Sequence, residues 1–226
     1  MGLETVMLPP DIRDIARSSG ETVTMNGWSA DQSVSIGFEG SSSRVFRMKG
    51  SLQKGTFLIL YDPANKWWYK VAGTPGTNRR ISEQEKAGIT ASLELSHGSH
   101  LIPLLKSGEI DVDNYPRVMA LRTPHFGPSV EFLARESKGD NSVLNWLYSV
   151  YSVAFRHAIA LLEEKTIWVE DPNPGNILLR AENQDFASVM IIDYTSKAFK
   201  REPTDRNRQL LENRFDKHAA KILLTR

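Results

Sequence analysis

The feature that most constrains this chain is a polar loop set between apolar segments and followed by an apolar strand that ends in an acid. The loop contains Asp171 and Asn176, five positions apart, and Asp193 directly follows Met190–Ile192. Either piece alone is weak evidence, because an acid often ends a strand and a proline such as Pro172 suits any exposed turn. Together, and in this order, the two pieces predict that two carboxylates and one amide meet in the folded chain.

This spacing resembles that of the catalytic loop of the protein-kinase superfamily, D-x-x-x-x-N, which a metal-binding Asp follows one hairpin later. The resemblance implies phosphoryl transfer from ATP, which needs one carboxylate to orient the attacking hydroxyl and further oxygen ligands for magnesium. Asp171 then positions the hydroxyl and accepts its proton, while Asn176 and Asp193 hold Mg²⁺. The expected cofactors are therefore ATP and Mg²⁺.

Upstream, residues 43–71 predict three strands joined by a glycine-containing turn and a second turn. The first turn contains Gly50 and Gly55, and Lys70 lies 20 positions after Gly50 on the third strand. The kinase resemblance implies that the turn closes over the phosphates of ATP and that the lysine pairs with them. A rival turn at residues 37–43 is almost as good locally, but only the later turn leads through one hairpin to the lysine. The alternative for Lys70 is a solvated lysine on an exposed strand.

The same resemblance assigns roles to an acid and to a strand farther along. A helix is predicted after the third strand, and one of its acids should pair with Lys70; Glu85 is preferred and Glu83 is the reserve. Residues 115–121 predict a strand that reaches the hinge of a kinase, so that Met119 and Leu121 would flank the adenine ring.

Three departures from the kinase pattern favour a protein that lacks kinase activity. Strand alternation puts Trp68 on the same face as Lys70, where kinases carry a small residue against adenine. Leu52 replaces the middle glycine of the loop, and the glycine expected after Asp193-Tyr194 is missing. These departures favour a pseudokinase that acts as a binding module.

The C-terminal half predicts mainly helices. The longest runs from Ser142 to about Glu164, with Asn141 or Ser142 as its cap. A last amphipathic helix begins at Thr204 or Asp205. Its apolar residues are Leu210, Leu211, Phe215, Ile222 and Leu223.

These elements predict an α+β fold, in the form of a reduced, bilobal protein-kinase-like fold. We expect an N-terminal extension over residues 1–42, a β-rich N-lobe over 43–121 and a truncated helical C-lobe over 122–226. Only 33 residues follow Asp193, too few for the full activation segment and helices of an ordinary kinase.

The truncation resembles that of minimal effector kinases, such as the OspG and NleH kinases, which pathogenic bacteria inject into host cells by type III secretion. Those proteins share the loop D-x-N-x-G-N, matched here by Asp171, Asn173, Gly175 and Asn176. The resemblance implies a secreted virulence factor that phosphorylates serine or threonine of a host protein, such as a chaperone or a ubiquitin-pathway component. Its location would be the host cytoplasm, and otherwise the cytoplasm. The wording of the loop is also similar to that of small-molecule phosphotransferases of the aminoglycoside or choline type.

Composition excludes several other classes. The formal net charge of +1 gives no nucleic-acid footprint, and no apolar run approaches the roughly 20 residues of a membrane helix. The chain has no cysteine and therefore no disulfide framework or thiolate metal site. We expect a monomer without nucleic-acid or membrane partners.

Overall fold

The computed structural model describes residues 4–13, 30–38, 41–48, 57–72, 106–112, 115–124, 127–137, 139–192 and 201–223. The chain forms two compact units. The helical unit contains Met1–Ser19, Ser99–Pro103 and Phe126–Arg226, and the barrel unit contains Gly20–Gly98 and Leu104–His125. The predicted α+β class, with a β-rich first part and a few helices in the second, is confirmed.

The barrel unit is a closed antiparallel barrel in the order β2-β3-β4-β5-β7-β6. The pairings of β5 with β4 and with β7 contain no register shift, and Lys70 on β5 lies opposite Ile59 on β4 and Leu121 on β7. The strands are β2 (Ala30–Phe38), β3 (Ser41–Met48), β4 (Phe57–Asp62), β5 (Trp67–Ala72), β6 (Lys106–Val112) and β7 (Tyr115–Pro124).

Alternating apolar residues fill the interior of the barrel. On β5, Tyr69 and Val71 point into this core, so Trp68 and Lys70 lie on the opposite face of the strand. The buried core consists of Val34, Ile36, Val45, Leu60, Tyr69, Val71 and Ala120. The turn between β4 and β5 is held by Asp62, whose buried carboxylate accepts the backbone N–H groups of Ala64 and Asn65 at 3.0 and 3.1 Å.

In the described part of the chain, the helical unit packs helices against a three-stranded sheet in the order β1-β9-β8. A 3-10 turn at Pro174–Asn176 leads directly into β8. The other elements are β1 (Thr5–Met7), α1 (Val130–Glu136), α2 (Asn141–Lys165), β8 (Ile177–Ala181), β9 (Phe186–Ile191) and α3 (Asp205–Leu223).

The two helices predicted in the C-terminal half are present, with two corrections at the residue level, whereas the helix predicted after the third strand lies outside the described residues. Asp140, and not Asn141 or Ser142, caps α2, because its carboxylate accepts the backbone N–H of Ser142 at 2.8 Å. Leu210 was predicted to belong to the apolar face of α3, but it is 39% exposed. The rest of that face is buried at Leu211, Phe215 and Ile222.

The N-terminal residues pack within the helical unit. Strand β1 pairs with β9, Trp146 Nε1 donates to the carbonyl of Met7 at 2.8 Å, and Arg156 binds Glu4 at 2.6 Å. The bounds of the two units thus differ from those predicted: the expected extension over residues 1–42 is divided, since β1 belongs to one unit and β2 to the other. Among the described residues, no helix combines the length and apolarity that a membrane crossing requires.

Candidate functional site

The loop with Asp171 and Asn176 is fixed at its second half by a short turn. The side chain of Asn173 accepts the backbone N–H of Gly175 at 3.1 Å, and its carbonyl accepts the N–H of Asn176 at 2.7 Å. Pro172 and Pro174 on either side of Asn173 suit this turn, because the ring of proline fixes φ and proline has no backbone N–H that would need a hydrogen-bond acceptor. The sequence D-P-N-P-G-N therefore folds into a rigid 3-10 turn immediately before β8.

The two predicted side chains of this loop are brought together. Asn176 Nδ2 donates to the backbone carbonyl of Asp171 at 3.1 Å and lies 3.4 Å from its Oδ2. The carboxylate of Asp171 is 56% exposed and can meet a substrate group. The amide nitrogen of Asn176 is thus engaged by Asp171, and no partner binds Asn176 Oδ1 among the described residues. A free amide oxygen beside a carboxylate is a ligand type that Mg²⁺ accepts.

The loop is also tied to the end of the β8–β9 hairpin. The N–H of Ile192 donates to the carbonyl of Asn176 at 2.9 Å. Asp193, the second predicted metal ligand, follows Ile192 in the sequence but lies outside the described residues. Among the residues that the structure describes, no cluster of three or more His, Cys, Asp or Glu could hold a metal by itself.

A tyrosine of helix α2, Tyr151, forms a hydrogen bond to the loop. The hydroxyl of Tyr151 donates to the carbonyl of Pro172, and its side chain is buried. Burial raises the pKa of Tyr151 far above its usual range, and the charges of Asp171 and Asp216 act in the same direction. The hydroxyl therefore stays protonated and remains a donor to the loop.

A cluster around Trp168 holds the first half of the loop, and the sequence did not predict it. Trp168 Nε1 donates to Glu170 at 2.8 Å, and Arg214 of α3 forms an ion pair with Glu170 at 3.1 Å and donates to its backbone carbonyl. The guanidinium of Arg201 lies 4.2 Å from the centre of the Trp168 ring. The only sequence signal was the Trp-Val-Glu run before Asp171.

His218 of α3 is a second neighbour of Asp171 that sequence analysis missed. Its Nε2 lies 3.9 Å from Asp171 Oδ1, and its Nδ1 is buried without a hydrogen-bond partner among the described residues. Burial lowers the pKa of His218, the positive charge of Lys221 adds to this effect, and the charge of Asp171 opposes it.

The predicted residues of the barrel unit that the structure describes lie on two paired strands, β5 and β7. Lys70 is half-buried on β5, and Leu121 is its register partner on β7. Trp68 lies on the same face as Lys70, as predicted, and its ring centre is 4.6 Å from that of Tyr61. Met119 lies two positions before Leu121 on β7, which continues beyond both of them to Pro124.

Several predicted positions fall outside the described residues. These are Gly50 and Gly55 of the glycine turn, Glu85 and its reserve Glu83, and Asp193. The roles given to them stay predictions.

A scan against protein-family models finds no match, and a search of curated proteins finds none either. Among solved structures, the chain is similar to a rhoptry antigen kinase domain of Toxoplasma gondii, with a TM-score of 0.43 and 12% identity, over 80% of this chain and 58% of that one. It is also similar to ROP2 of Toxoplasma gondii, described as a virulence factor with a protein-kinase fold and no enzymatic activity. There the TM-score is 0.41 and the identity 13%, over 83% of this chain and 60% of that one. The chain thus spans about three fifths of each of these proteins.

Proposed function

We propose that this chain is a reduced protein kinase that transfers the γ-phosphate of ATP to a serine or threonine of a protein. The observation that carries the proposal is the loop itself, in which Asn176 is tied to Asp171 and its carbonyl to the end of β9. A carboxylate and an amide in this arrangement, five positions apart, supply the two functions that a kinase catalytic loop needs.

In this mechanism Asp171 acts on the substrate hydroxyl. Its exposed carboxylate accepts the hydroxyl proton while the oxygen attacks the γ-phosphate. Asn176 Oδ1 and the carboxylate of Asp193 would hold Mg²⁺, which neutralises charge on the phosphates when bound. Glu170, Arg214 and the buried tyrosine of α2 keep the loop in place, so that the base is positioned before the substrate arrives.

The remaining roles follow the kinase resemblance and are part of the same proposal. Lys70 would pair with the α- and β-phosphates and be oriented by Glu85. The turn with Gly50 and Gly55 would cover the phosphates, and the strand that carries Met119 and Leu121 would flank the adenine. These roles are tested one by one by substitution.

Transfer is tested with radiolabelled ATP, a host-cell lysate and serine- and threonine-containing peptide arrays as acceptors. Substitutions Asp171→Asn, Lys70→Met and Asp193→Asn should each lower labelling by at least about 10²-fold while circular dichroism stays unchanged. Glu164→Gln removes an exposed carboxylate of α2 that has no hydrogen bond or ion pair among the described residues, and it should leave labelling unchanged. Undiminished labelling by the Asp171→Asn variant would contradict the mechanism.

The effector role is the finer part of the proposal. It is supported by the D-x-N-x-G-N loop. The predicted targets are a host chaperone or a component of the ubiquitin pathway, and a protein phosphorylated in the lysate experiment would be identified by mass spectrometry. A reporter fusion injected through a type III apparatus tests the secretion route, and its retention in the bacterium would remove that part.

A second candidate is a nucleotide-binding module without transfer. It is favoured by Trp68, whose side chain shares a face with Lys70 and contacts Tyr61, because an indole there narrows the space for adenine. Magnesium-dependent ATP binding without labelling of any acceptor would support this candidate. Labelling of aminoglycosides or choline in place of proteins would instead support a small-molecule phosphotransferase.

A further inference from the structure

A groove between α2 and α3 combines aromatic rings with carboxylates. Its lining includes Tyr148, Tyr151, Phe155, Phe215, Glu212 and Asp216. The space is about 340 Å³, a figure that includes a part open to solvent. A site of this size suits one long side chain better than a whole cofactor.

Aromatic rings form the floor and the edge of the groove, and the two floor rings, Tyr151 and Phe215, are each only 3% exposed. Phe215 packs with its ring centre 5.1 Å from Tyr151 and 5.2 Å from Phe155, so the three rings form a fixed cluster. Tyr148 stands at the edge with 43% of its side chain exposed. Aromatic faces attract cations through their quadrupole, and they also accept the apolar stem of a long basic side chain.

Two carboxylates at the rim lack a cationic partner. Glu212 and Asp216 are exposed and one turn apart on α3, so they lie on the same face of the helix. Within the described part of the chain, Glu212 is bound only by the neutral amide of Gln209 at 3.0 Å, and Asp216 has no hydrogen bond or ion pair. Arg214 on the same helix is engaged with Glu170.

We propose that this groove binds a basic side chain, arginine or lysine, of a partner polypeptide. The stem would lie against the accessible rings of Tyr148 and Phe155, and the cationic head between the two carboxylates. Charge complementarity selects this occupant: an apolar segment would leave both carboxylates against an uncharged surface, and nucleic acid or an anionic membrane would be repelled by them.

The groove is connected to the catalytic loop through one residue. Tyr151 lines the groove with its ring, and its hydroxyl holds the carbonyl of Pro172. A partner that fills the groove is therefore bound beside the loop that carries Asp171. This inference concerns binding alone and does not depend on the proposed phosphoryl transfer.

The proposal is tested by NMR titration of the isotope-labelled full chain with three capped tripeptides. These carry arginine, lysine or the uncharged citrulline between two glycines. The arginine and lysine peptides should shift the amides of the groove, with citrulline at least about fivefold weaker, and added salt should weaken the binding. Equal binding of citrulline, or no binding of either cationic peptide, would overturn the proposal.

Substitutions locate the site. Glu212→Gln and Asp216→Asn should each weaken binding of the arginine peptide about threefold, and the double variant about tenfold. Tyr148→Leu, which keeps an apolar wall without the ring, should weaken it as well, while Glu164→Gln should have no effect. The NMR spectrum of each variant also reports whether it is folded. Undiminished binding by a folded double variant would refute the assignment of the groove.

Discussion

At the residue scale, one hydrogen bond couples α2 to the loop that carries Asp171 and Asn176. Replacing Tyr151 by phenylalanine keeps the ring contacts with Phe215 but leaves the carbonyl of Pro172 without its donor. We expect the free energy of unfolding in urea to fall by about 1–2 kcal/mol. Because the loop loses a support, the phosphoryl transfer proposed above should also decrease.

The matched control is Tyr148→Phe on the same helix. That hydroxyl belongs to a side chain that is 43% exposed, so its removal should change the unfolding free energy by less than about 0.5 kcal/mol. Equal effects of the two substitutions would show that the Tyr151 hydroxyl does not hold the loop.

His218 gives the fold a pH dependence. Burial lowers the pKa of this imidazole, so the folded chain binds its proton less tightly than the unfolded chain. Stability from this residue is complete above its unfolded pKa of about 6.5 and is lost as the pH falls below that value. Lys221, Lys217 and Arg214 act in the same direction as burial, and Asp171 opposes them.

The measurement is urea unfolding of the wild type and the His218→Gln variant from pH 8 to pH 5. The wild type should lose more stability than the variant below pH 6.5, and the difference between the two should be constant above pH 7.5. Parallel profiles across the whole range would contradict a depressed pKa of His218.

The sequence predicted the loop residues of the site but not their supports. Asp171 and Asn176 were recognisable because their functional contact is local, five positions along one loop. The contacts of Arg214 with Glu170 and of His218 with Asp171 join residues that are more than 40 positions apart, and no local pattern encodes such contacts. Lys70 was placed on the right strand by alternation, which is also a local signal.

At the scale of elements, the helical spacing of its apolar residues made α2 predictable, whereas β1 has no pattern in the sequence that predicts a strand. Helix α2 buries twelve residues, and that stripe fixed its bounds to within one residue of those predicted. Strand β1 has only three residues and exists because β9 offers it an edge to pair with. The apolar segment 167–169 before the loop forms no strand of its own and is buried by tertiary packing.

The end of α2 contains a strained residue. Thr166 closes the helix in the left-handed region at φ 55°, a conformation that is unfavourable for a β-branched side chain. Thr166→Gly should raise the unfolding free energy by up to about 1 kcal/mol, because relief of strain exceeds the added freedom of the unfolded chain. Thr166→Ala removes only the branching of the side chain, so the melting temperature of this variant should lie between those of the wild type and the glycine variant. A less stable glycine variant would contradict this account.

At the scale of the whole molecule, the helical unit is assembled from distant parts of the sequence. Residues 4–13 reach it through β1, through the N–H of Leu8 bound to the carbonyl of Asp185 at 2.7 Å, and through Arg13 bound to Asp185 at 2.9 Å. Because these partners are more than 170 positions away, the sequence could not show that the first residues belong to this unit. The boundary predicted at residue 42 came from the kinase-like strand and turn pattern that begins at Ser43, whereas β2, before that position, pairs with β3 in the same barrel.

This assembly predicts that a substitution of a core residue next to β1 destabilises β9, which is more than 170 positions away in the sequence. Leu8 is 1% exposed, and Leu8→Ala should lower the unfolding free energy of the helical unit by about 3 kcal/mol through loss of burial and a new cavity. Its neighbour Met7 is 66% exposed, so Met7→Ala should cost less than about 0.5 kcal/mol. Hydrogen exchange at the amides of β9 measures both, and exchange should accelerate only in the Leu8 variant. Unchanged protection of β9 in that variant would mean that the first residues do not contribute to the core of this unit.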